Sequence, residues 1–557
     1  MITKTFIALR DLPRLKQIVS ILAKHGLGSF IQRMKLMKLF NRKALSEHNT
    51  THKKYLTTPQ RFRMAFEELG PTFIKLGQIL STRVDMFPPE WTSEFAKLQN
   101  DVQPMGTEVI QVLVTERLKQ PIPSVFDYFS PEPIGSASIA QVHRATLKTG
   151  EDVVVKVKRP NIEAKIQADL RILTYLTKLM ESEIPELRRY QPTQMLHYFT
   201  KSLAKELNLS IERRYLQRFN DTFSHDPTVN VPLVYPEYSS HDILVESFVA
   251  DTLLTHLDLA TLSHDDRHQI ASHIADAILS MILKHGFFHA DPHPGNILVG
   301  ADHKITFIDF GLVGHLSNTR RKELINLINA LVERDQMEMQ FVLSNWAQGD
   351  LPDETQLGMD VLEMMLNYEH LPMKDLKISQ VIHDITSVMR EHELTLPPDL
   401  VMLFKTLITL EGVVKNLDGE FQLLEHTKPL VMAAIKSQAS PRHLQQKLKA
   451  QSRLFAQFAS DLPANIVGLN RKLKRGQLSL NLDVKRLEQF GHQIDKSANR
   501  LTMGIVTGSL IIGSSIVMSI NAGPKIFGLS FFGFIGYMLA FFNSVWLIWS
   551  IWRSSKN

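Results

Sequence analysis

The 557-residue chain has a formal net charge of +6 and contains no cysteine, which excludes disulfides, thiolate metal sites and a cysteine nucleophile. Its composition, 44% hydrophobic and 22% charged, is typical of a globular protein with a buried core. Positive charge is densest near the N-terminus and over residues 440–500, just before an apolar segment. It therefore indicates a surface that faces anionic lipid rather than nucleic acid, for which the sequence shows no zinc-finger spacing or aromatic RNA-binding motif.

The N-terminal segment predicts an amphipathic helix. Leu15, Ile18 and Leu22 recur at helical spacing, and charged residues interrupt the apolar positions, so the segment does not resemble a secretory signal. Such a helix either packs on its own protein or lies on a membrane surface. We assign residues 1–125, which are mainly helical in pattern, to an N-terminal extension.

Residues 126–250 mix short predicted strands with two long helices, and we assign them to a small lobe. Within this lobe, residues 151–158 alternate as a strand that places Lys156 opposite an apolar face. A lysine in mid-strand, after a turn of small residues, is the group that binds nucleotide phosphates in kinases, although an exposed edge-strand lysine has the same pattern. The preceding turn, residues 134–142, keeps a single glycine, so we expect its amides and hydroxyls to meet a nucleotide from a stiff loop.

A helix around residues 195–219 is predicted to supply the carboxylate partner of Lys156. Glu206 and Glu212 are both candidates, and a spacing of six residues prevents them from sharing a face of one helix. We expect Glu206 to pair with Lys156 and Glu212 to have a separate role.

The strongest chemical pattern lies in residues 251–495, which we assign to a helical large lobe with a basic tail. A helix that begins at Ser263 leads into a loop with Asp291 and Asn296, and a short hairpin then ends in Asp309-Phe310-Gly311. Phosphoryl transfer to an alcohol needs an acceptor for the hydroxyl proton and counter-charge for the phosphates. We therefore predict Asp291 as the base and Asn296 and Asp309 as Mg²⁺ ligands.

A second hypothesis for the same loop is a metal-dependent hydrolase site. His289, Asp291 and His293 are residue types that bind metal ions. This hypothesis would leave Asn296 and Asp309 without a role, so we expect His289 to bond the loop backbone instead.

The C-terminus predicts two transmembrane helices within residues 501–552. Residues 501–524 and 526–552 carry no charge, and each stretch exceeds the roughly 20 residues that span a bilayer. Gly504 and Gly508 form a pattern that lets two helices approach closely. Basic residues flank both ends, so the positive-inside rule places the rest of the chain in the cytoplasm.

These segments together resemble one family, the UbiB-type atypical kinases, also called the ABC1 family. The resemblance rests on four motifs: Lys75-Leu76-Gly77-Gln78, which matches the family's K-x-G-Q signature; Gly135-Ser136-Ala137-Ser138; Val154-Val155-Lys156; and His289-Ala290-Asp291 through Asn296 with Asp309-Phe310-Gly311. It covers residues 55–430 and, by position, the terminal hairpin. The chain departs from the family at Asn208, where many members have aspartate, and at Gly135 and Ser136, which replace alanines.

The resemblance implies roles that spacing alone does not give. It implies that Asp291 is the proton acceptor, that Lys156 binds ATP, and that Lys75 and Gln78 belong to an extension folded across the place of a peptide substrate. The residues implied to line the nucleotide are Ile134, Gly135, Ser136, Ala137, Ser138, Ile139, Ala140, Gln141 and Val142. No Ala-Pro-Glu follows Asp309, and this absence argues against ordinary protein substrates.

We therefore expect an α+β chain with a bilobal protein-kinase-like fold, a helical N-terminal extension and a C-terminal transmembrane helical hairpin. The expected function is an ATP- and Mg²⁺-dependent kinase or ATPase that promotes aerobic ubiquinone synthesis as a multi-pass protein of the cell inner membrane. Its expected partners are membrane lipids and ubiquinone precursors or their biosynthetic enzymes, with no nucleic acid. The alternatives are a small-molecule or lipid phosphotransferase and a nucleotide-bound scaffold without catalysis.

Overall fold

The computed structural model describes residues 9–34, 56–98, 103–347, 353–372, 375–438, 485–519, 524–526 and 529–554. The chain divides into two units, residues 1–445 and residues 446–557.

Helices of the N-terminal extension open the first unit: α1 (Leu12–Lys24), α2 (Gly28–Arg33), α3 (Thr58–Leu69), α4 (Pro71–Thr82), α5 (Pro89–Ala96), α6 (Thr107–Leu118) and α7 (Ile122–Val125). The apolar stripe of α1 is buried among α3, α4 and the long helix that follows the third strand. Arg14 on α1 and Thr72 on α4 both bond the buried carboxylate of Asp169, each at 2.7 Å. Of the two alternatives for the N-terminal helix, the structure therefore shows packing on its own protein.

The small lobe contains the strands β1 (Phe126–Ser136), β2 (Ala140–Leu147), β3 (Asp152–Lys158), the two-residue β4 (Val229–Asn230) and β5 (Ile243–Ser247). Four of them form an antiparallel sheet in the order β1-β2-β3-β5, and β4 joins another sheet. Val153, Val155 and Val157 are fully buried on one face of the sheet, and Lys156 lies on the opposite face, as the alternation predicts.

Three helices, rather than the two predicted, lie between β3 and β4: α8 (Ile162–Glu183), α9 (Pro192–Glu206) and α10 (Leu209–Phe223). The single helix predicted over residues 195–219 is wrong, because the chain breaks at Leu207 and Asn208. The Asn208 side chain accepts a hydrogen bond from the amide of Ser210 at 3.0 Å and so caps the new helix. The break turns the residues that follow it away from the face that α9 would have continued.

The large lobe begins with α11 (His264–Ser280), which starts after Ser263 as predicted and is capped by Ser263 and Asp266. The helical segment ends at Gly286, which has a φ of 64°. The remaining strands are β6 (Thr252–Leu253), β7 (Phe287–His289), β8 (Ile297–Val299), β9 (Ile305–Phe307) and β10 (Val313–His315). The predicted hairpin is present as β8 and β9, in a small sheet of order β4-β9-β8-β6. The helices are α12 (Asn318–Glu333), α13 (Gln336–Trp346), α14 (Glu354–Leu366), α15 (Ile378–Glu391), α16 (Pro398–Leu417) and α17 (Leu423–Gln438).

The N-terminal extension is also bonded to the large lobe. Arg390 of α15 donates to the carbonyl of Val84 at 2.8 Å, and the amide of Leu396 donates to the Asp85 carboxylate at 3.0 Å. Asp85 is buried and also pairs with Arg83. These bonds fix the end of α4 beside α16, so that both helices border the same space.

The second unit contains two long helices, α18 (Lys485–Ser519) and α19 (Phe531–Ser554), with the short strands β11 (Lys525–Ile526) and β12 (Leu529–Ser530) between them. The helices run antiparallel: Asn543 donates to Thr507 Oγ1 at 3.1 Å, and Ser515 bonds Tyr537. Residues 502–519 are long and apolar enough to cross a membrane by length and composition, and the apolar stretch at 531–546 is shorter.

The expectation that Gly504 and Gly508 let these helices approach is wrong. No described atom lies within 4 Å of where their side chains would begin. The close approach is on the other helix, at Gly533 and Gly536, where a Cβ atom would collide with Met518 and Ser514.

Candidate active site

One cavity of about 1500 Å³ lies between the small-lobe sheet, α4, α9, α10 and α16. It brings together nearly all of the residues predicted from the sequence: Lys75, Gln78, Ile134 to Ala140, Val142, Lys156, Glu206, Glu212, Asp291, Asn296 and Asp309.

Gln141 is the predicted nucleotide-lining residue that does not face this cavity. It is fully buried on the other side of β2, where its carbonyl accepts from the amide of Met105 at 2.7 Å and its amide bonds His143 at 3.0 Å. Side chains alternate along a strand, so Ala140 and Val142 face the cavity and the residue between them cannot.

Lys156 lies between two carboxylates from different parts of the chain. Its ammonium is 2.8 Å and 3.0 Å from the carboxylate oxygens of Glu212 and 2.9 Å from Asp309 Oδ1. Burial opposes the charged form of Lys156, but the charges of Asp309 and Glu212 outweigh it and raise the pKa of the ammonium. The charge of Lys156, in turn, holds the pKa of Asp309 well below its usual range.

The expectation that Glu206 would pair with Lys156 is therefore wrong. Glu206, at the last turn of α9, forms an ion pair with Lys75 of α4 instead. The helix break at Asn208 explains the exchange, because it directs Glu212 of α10 toward β3 and leaves Glu206 at the border with the extension. Gln78, one turn after Lys75, donates to the carbonyl of Leu98 at 2.9 Å.

The loop that carries Asp291 is held by its own polar groups. Asn296 donates from Nδ2 to the carbonyl of Asp291 at 3.1 Å. His289 is fully buried, with Nε2 3.1 Å from the carbonyl of Ile308 and Nδ1 accepting from the amide of Asp291 at 3.2 Å. The structural role expected of His289 is confirmed. Both of its ring nitrogens are engaged, which contradicts the metal-hydrolase hypothesis.

The Asp309-Phe310-Gly311 turn has a strained backbone. Asp309 has a φ of 58°, in the left-handed region that non-glycine residues seldom occupy. Phe310 is fully buried, with its ring 4.6 Å from that of Phe219 on α10. The buried ring of Phe310 holds the turn in place. The strained conformation directs the Asp309 carboxylate at Lys156, and their ion pair compensates for the strain.

The donor set of Asn296 and Asp309 fits a hard cation such as Mg²⁺, which prefers oxygen ligands. The bond from Asn296 Nδ2 to the loop leaves the amide oxygen, Oδ1, as the atom for a cation. Asp309 is held as a carboxylate by Lys156. Both side chains line the cavity that holds Lys156.

Lys405 and Glu246 are two of the charged residues of this cavity that sequence reasoning missed. Lys405 of α16 lies 2.8 Å from Asp291 Oδ1, and burial would raise the pKa of Asp291 but the charge of Lys405 outweighs it and lowers that pKa. Glu246 of β5 also lines the cavity, where burial and the neighbouring charge of Glu212 raise its pKa to about 8. The one available signal was a single charge in an apolar run, Val401-Met402-Leu403-Phe404-Lys405 and Ile243-Leu244-Val245-Glu246.

The two lobes, the lysine–glutamate pair and the two aspartates between them define a protein-kinase-like chain. Family models match three regions: the ABC1 atypical kinase-like domain over residues 97–343, the UbiB helical domain over 361–422 and the ABC1/UbiB kinase-like C-terminal domain over 485–553. The chain belongs to the ABC1/UbiB family of atypical kinase-like proteins.

Individual relatives are similar in sequence to this chain over most of its length. An uncharacterised protein from the hydrogenase 1 5′ region of Clostridium pasteurianum is 31% identical over 97% of this chain and 99% of its own length. A protein of Sodalis glossinidius named "Probable protein kinase UbiB" is 30% identical over 91% of this chain and 94% of its own length. Among solved structures, the Rv3197–erythromycin complex from Mycobacterium tuberculosis is 18% identical, with a TM-score of 0.46 over 65% of this chain and 92% of that one.

The raised pKa of Glu246 predicts a pH-dependent cost to folding. The folded chain holds the Glu246 proton up to about pH 8, whereas the ordinary value is 4.5. Stability is therefore lost as pH rises between these values, and the cost is complete above the higher one. We expect Glu246→Gln to be more stable than the wild type by roughly 1 to 3 kcal/mol at alkaline pH, and to differ little in acid.

Urea unfolding at about pH 5 and about pH 9 measures this difference. Glu237→Gln, an exposed carboxylate near the same sheet, is the matched control and should change stability at neither pH. An equal change in the free energy of unfolding by Glu246→Gln at both pH values would contradict the raised pKa of Glu246.

Proposed function

We propose that this chain is an ATP-dependent kinase or ATPase that acts on a non-protein acceptor or on water. The observation that carries the proposal is that Asp291, Asn296 and Asp309 line one cavity with the Lys156–Glu212 pair. These groups supply what phosphoryl transfer needs: an acceptor for a proton, oxygen ligands for Mg²⁺ and a fixed cation for phosphates.

The reaction assigns one task to each group. An acceptor oxygen forms a bond to the γ-phosphorus of ATP, the bond from that phosphorus to the β–γ bridging oxygen breaks, and ADP leaves with the electron pair. Asp291 takes the acceptor proton, and Lys156 binds phosphate oxygens. Asn296 and Asp309 would hold Mg²⁺, which neutralises phosphate charge.

The pathway part of the proposal is the promotion of aerobic ubiquinone synthesis. It is supported by membership of the ABC1/UbiB family, because the resemblance to that family implies a role in this pathway. The absence of an Ala-Pro-Glu segment that would seat a peptide supports a non-protein acceptor. We assign ubiquinone precursors or their biosynthetic enzymes, together with membrane lipids, as partners. The helix that carries Lys75 and Gln78 borders the cavity. We infer that it covers the place where a peptide substrate would lie, which favours a small or lipid-like acceptor.

Asp291→Asn tests catalysis against a scaffold role. Loss of the proton acceptor should lower ATP turnover by the purified full chain about 100-fold or more, and the variant should fail to restore ubiquinone in a deficient strain. Asp276→Asn, a surface carboxylate on α11 that bonds His426, is the control. Full restoration of ubiquinone by Asp291→Asn would leave the scaffold as the function.

We further propose that α18 and α19 cross the cell inner membrane as a hairpin with the kinase-like domain on the cytoplasmic side. The proposal is supported by the apolar residues 502–519, by the antiparallel pairing of the helices, and by basic residues at both outer ends.

The absence of native cysteine makes the topology directly measurable. We expect Lys525→Cys, between the two helices, to react with a membrane-impermeant maleimide in spheroplasts or intact cells. Lys485→Cys, at the start of α18, should react only after lysis. Protection of Lys525→Cys in intact cells would show that the segment does not cross.

A further inference from the structure

The α16 helix presents a single charged side chain to the cavity. Pro398, Val401, Met402 and Lys405 line the cavity at helical spacing, so they share one face of the helix. Lys405 is the charged member of this group, and its ammonium lies 2.8 Å from Asp291 Oδ1. The chain thus places a cation directly beside the proton acceptor.

The position of Lys405 is fixed by the neighbouring residue. Thr406 is fully buried, and its hydroxyl lies 3.3 Å from the carbonyl of Ala290, the residue before the proton acceptor. The end of the Lys405 side chain remains accessible, since 32% of it is exposed, as is 33% of Asp291. An ion pair this accessible adds little to stability, and a ligand in the cavity can reach both of its groups.

Two lysine–aspartate pairs therefore involve the two proposed groups of the reaction, the cation ligand and the proton acceptor. Lys156 is paired with Asp309, a proposed cation ligand, and Lys405 is paired with Asp291, the proposed proton acceptor. In each pair the ammonium neutralises a carboxylate that would otherwise repel an approaching phosphate. Asp291 Oδ2, the oxygen that does not meet Lys405, remains for an acceptor hydroxyl, with His293 Nε2 3.9 Å away.

We propose that Lys405 binds the γ-phosphoryl group of the nucleotide, so that the large-lobe helix α16 supplies a phosphate-binding residue beside Asp291. The inference rests on the proposed phosphotransferase function. It divides the phosphate contacts between two lysines: Lys156 on β3 for the inner phosphates and Lys405 for the terminal one. The ammonium of Lys405 moves from Asp291 Oδ1 to the phosphoryl oxygens, while the acceptor hydroxyl binds at Asp291 Oδ2.

The preference for ATP over ADP tests this directly, because the two nucleotides differ by the γ-phosphate. We expect Lys405→Met to lower the ratio of the two affinities by about tenfold and to leave ADP affinity nearly unchanged, since one charge-assisted bond is lost. Lys405→Arg should restore most of the ratio. Lys415→Met, a lysine ten positions further along the same helix, should match the wild type.

The measurement is isothermal titration of the full chain in lipid nanodiscs with ATP and then ADP, at one Mg²⁺ concentration. If Lys405 had only a structural role, Lys405→Met would weaken the binding of ATP and ADP together. That outcome, or an unchanged ratio of the two affinities, overturns the proposal. If the wild type binds neither nucleotide, the proposed function itself fails.

A second variant keeps the inference testable if Lys405→Met does not fold. Asp291→Asn removes the carboxylate that competes for the ammonium of Lys405, so it should raise the preference for ATP over ADP. An equal or lower preference in this variant overturns the proposal.

Discussion

The site depends on the contact of one ammonium with two carboxylates. Lys156 comes from the middle of a strand, Glu212 from the first turn of α10 and Asp309 from a turn in the other lobe, and both carboxylates lie within about 3 Å of the ammonium. A buried charge is costly unless its partners are close and well oriented. Removing Lys156 would leave both carboxylates without their counter-charge, and the contact joins the two lobes.

Each member of the contact is placed by a different local constraint. Strand alternation places Lys156 opposite three buried valines. The capped break at Asn208 directs Glu212 inward, and the strained backbone at Asp309 is held by the buried ring of Phe310. The constraints are independent, yet their products meet in one cavity, and this agreement is what supports a functional rather than an incidental cluster.

The same cavity is completed by two further parts of the chain, the N-terminal extension and helix α16 of the large lobe. The extension contributes Lys75, paired with Glu206, and α16 contributes Lys405, paired with Asp291. Every acidic side chain in these pairs is matched by a lysine from another element. In the absence of phosphate, the charges within each pair neutralise each other. A phosphate that enters can replace a carboxylate as the partner of a lysine.

The sequence predicted what depends on local spacing. Asp291, Asn296 and Asp309 are separated by a short loop and a hairpin, and the structure brings them into one cavity as expected. The partner of Lys156 was assigned to Glu206 because a two-residue helix break has no periodic signal. Gln141 was wrongly predicted to line the nucleotide because every residue of the motif was assigned to one surface, although successive side chains of a strand point to opposite faces. Lys405 was missed because it lies 114 residues from Asp291, and only tertiary packing joins them.

The most direct test of the central claim is the affinity of the full chain for ATP with Mg²⁺ when Lys156 is replaced. Lys156→Met should weaken binding at least tenfold, because the cation that meets the phosphates is lost. Lys148→Met, an exposed lysine after β2 that pairs with Asp127, should bind as the wild type does. Equal ATP affinity in Lys156→Met and the wild type would contradict the account, because the ammonium that organises the cavity would then have no part in binding the nucleotide.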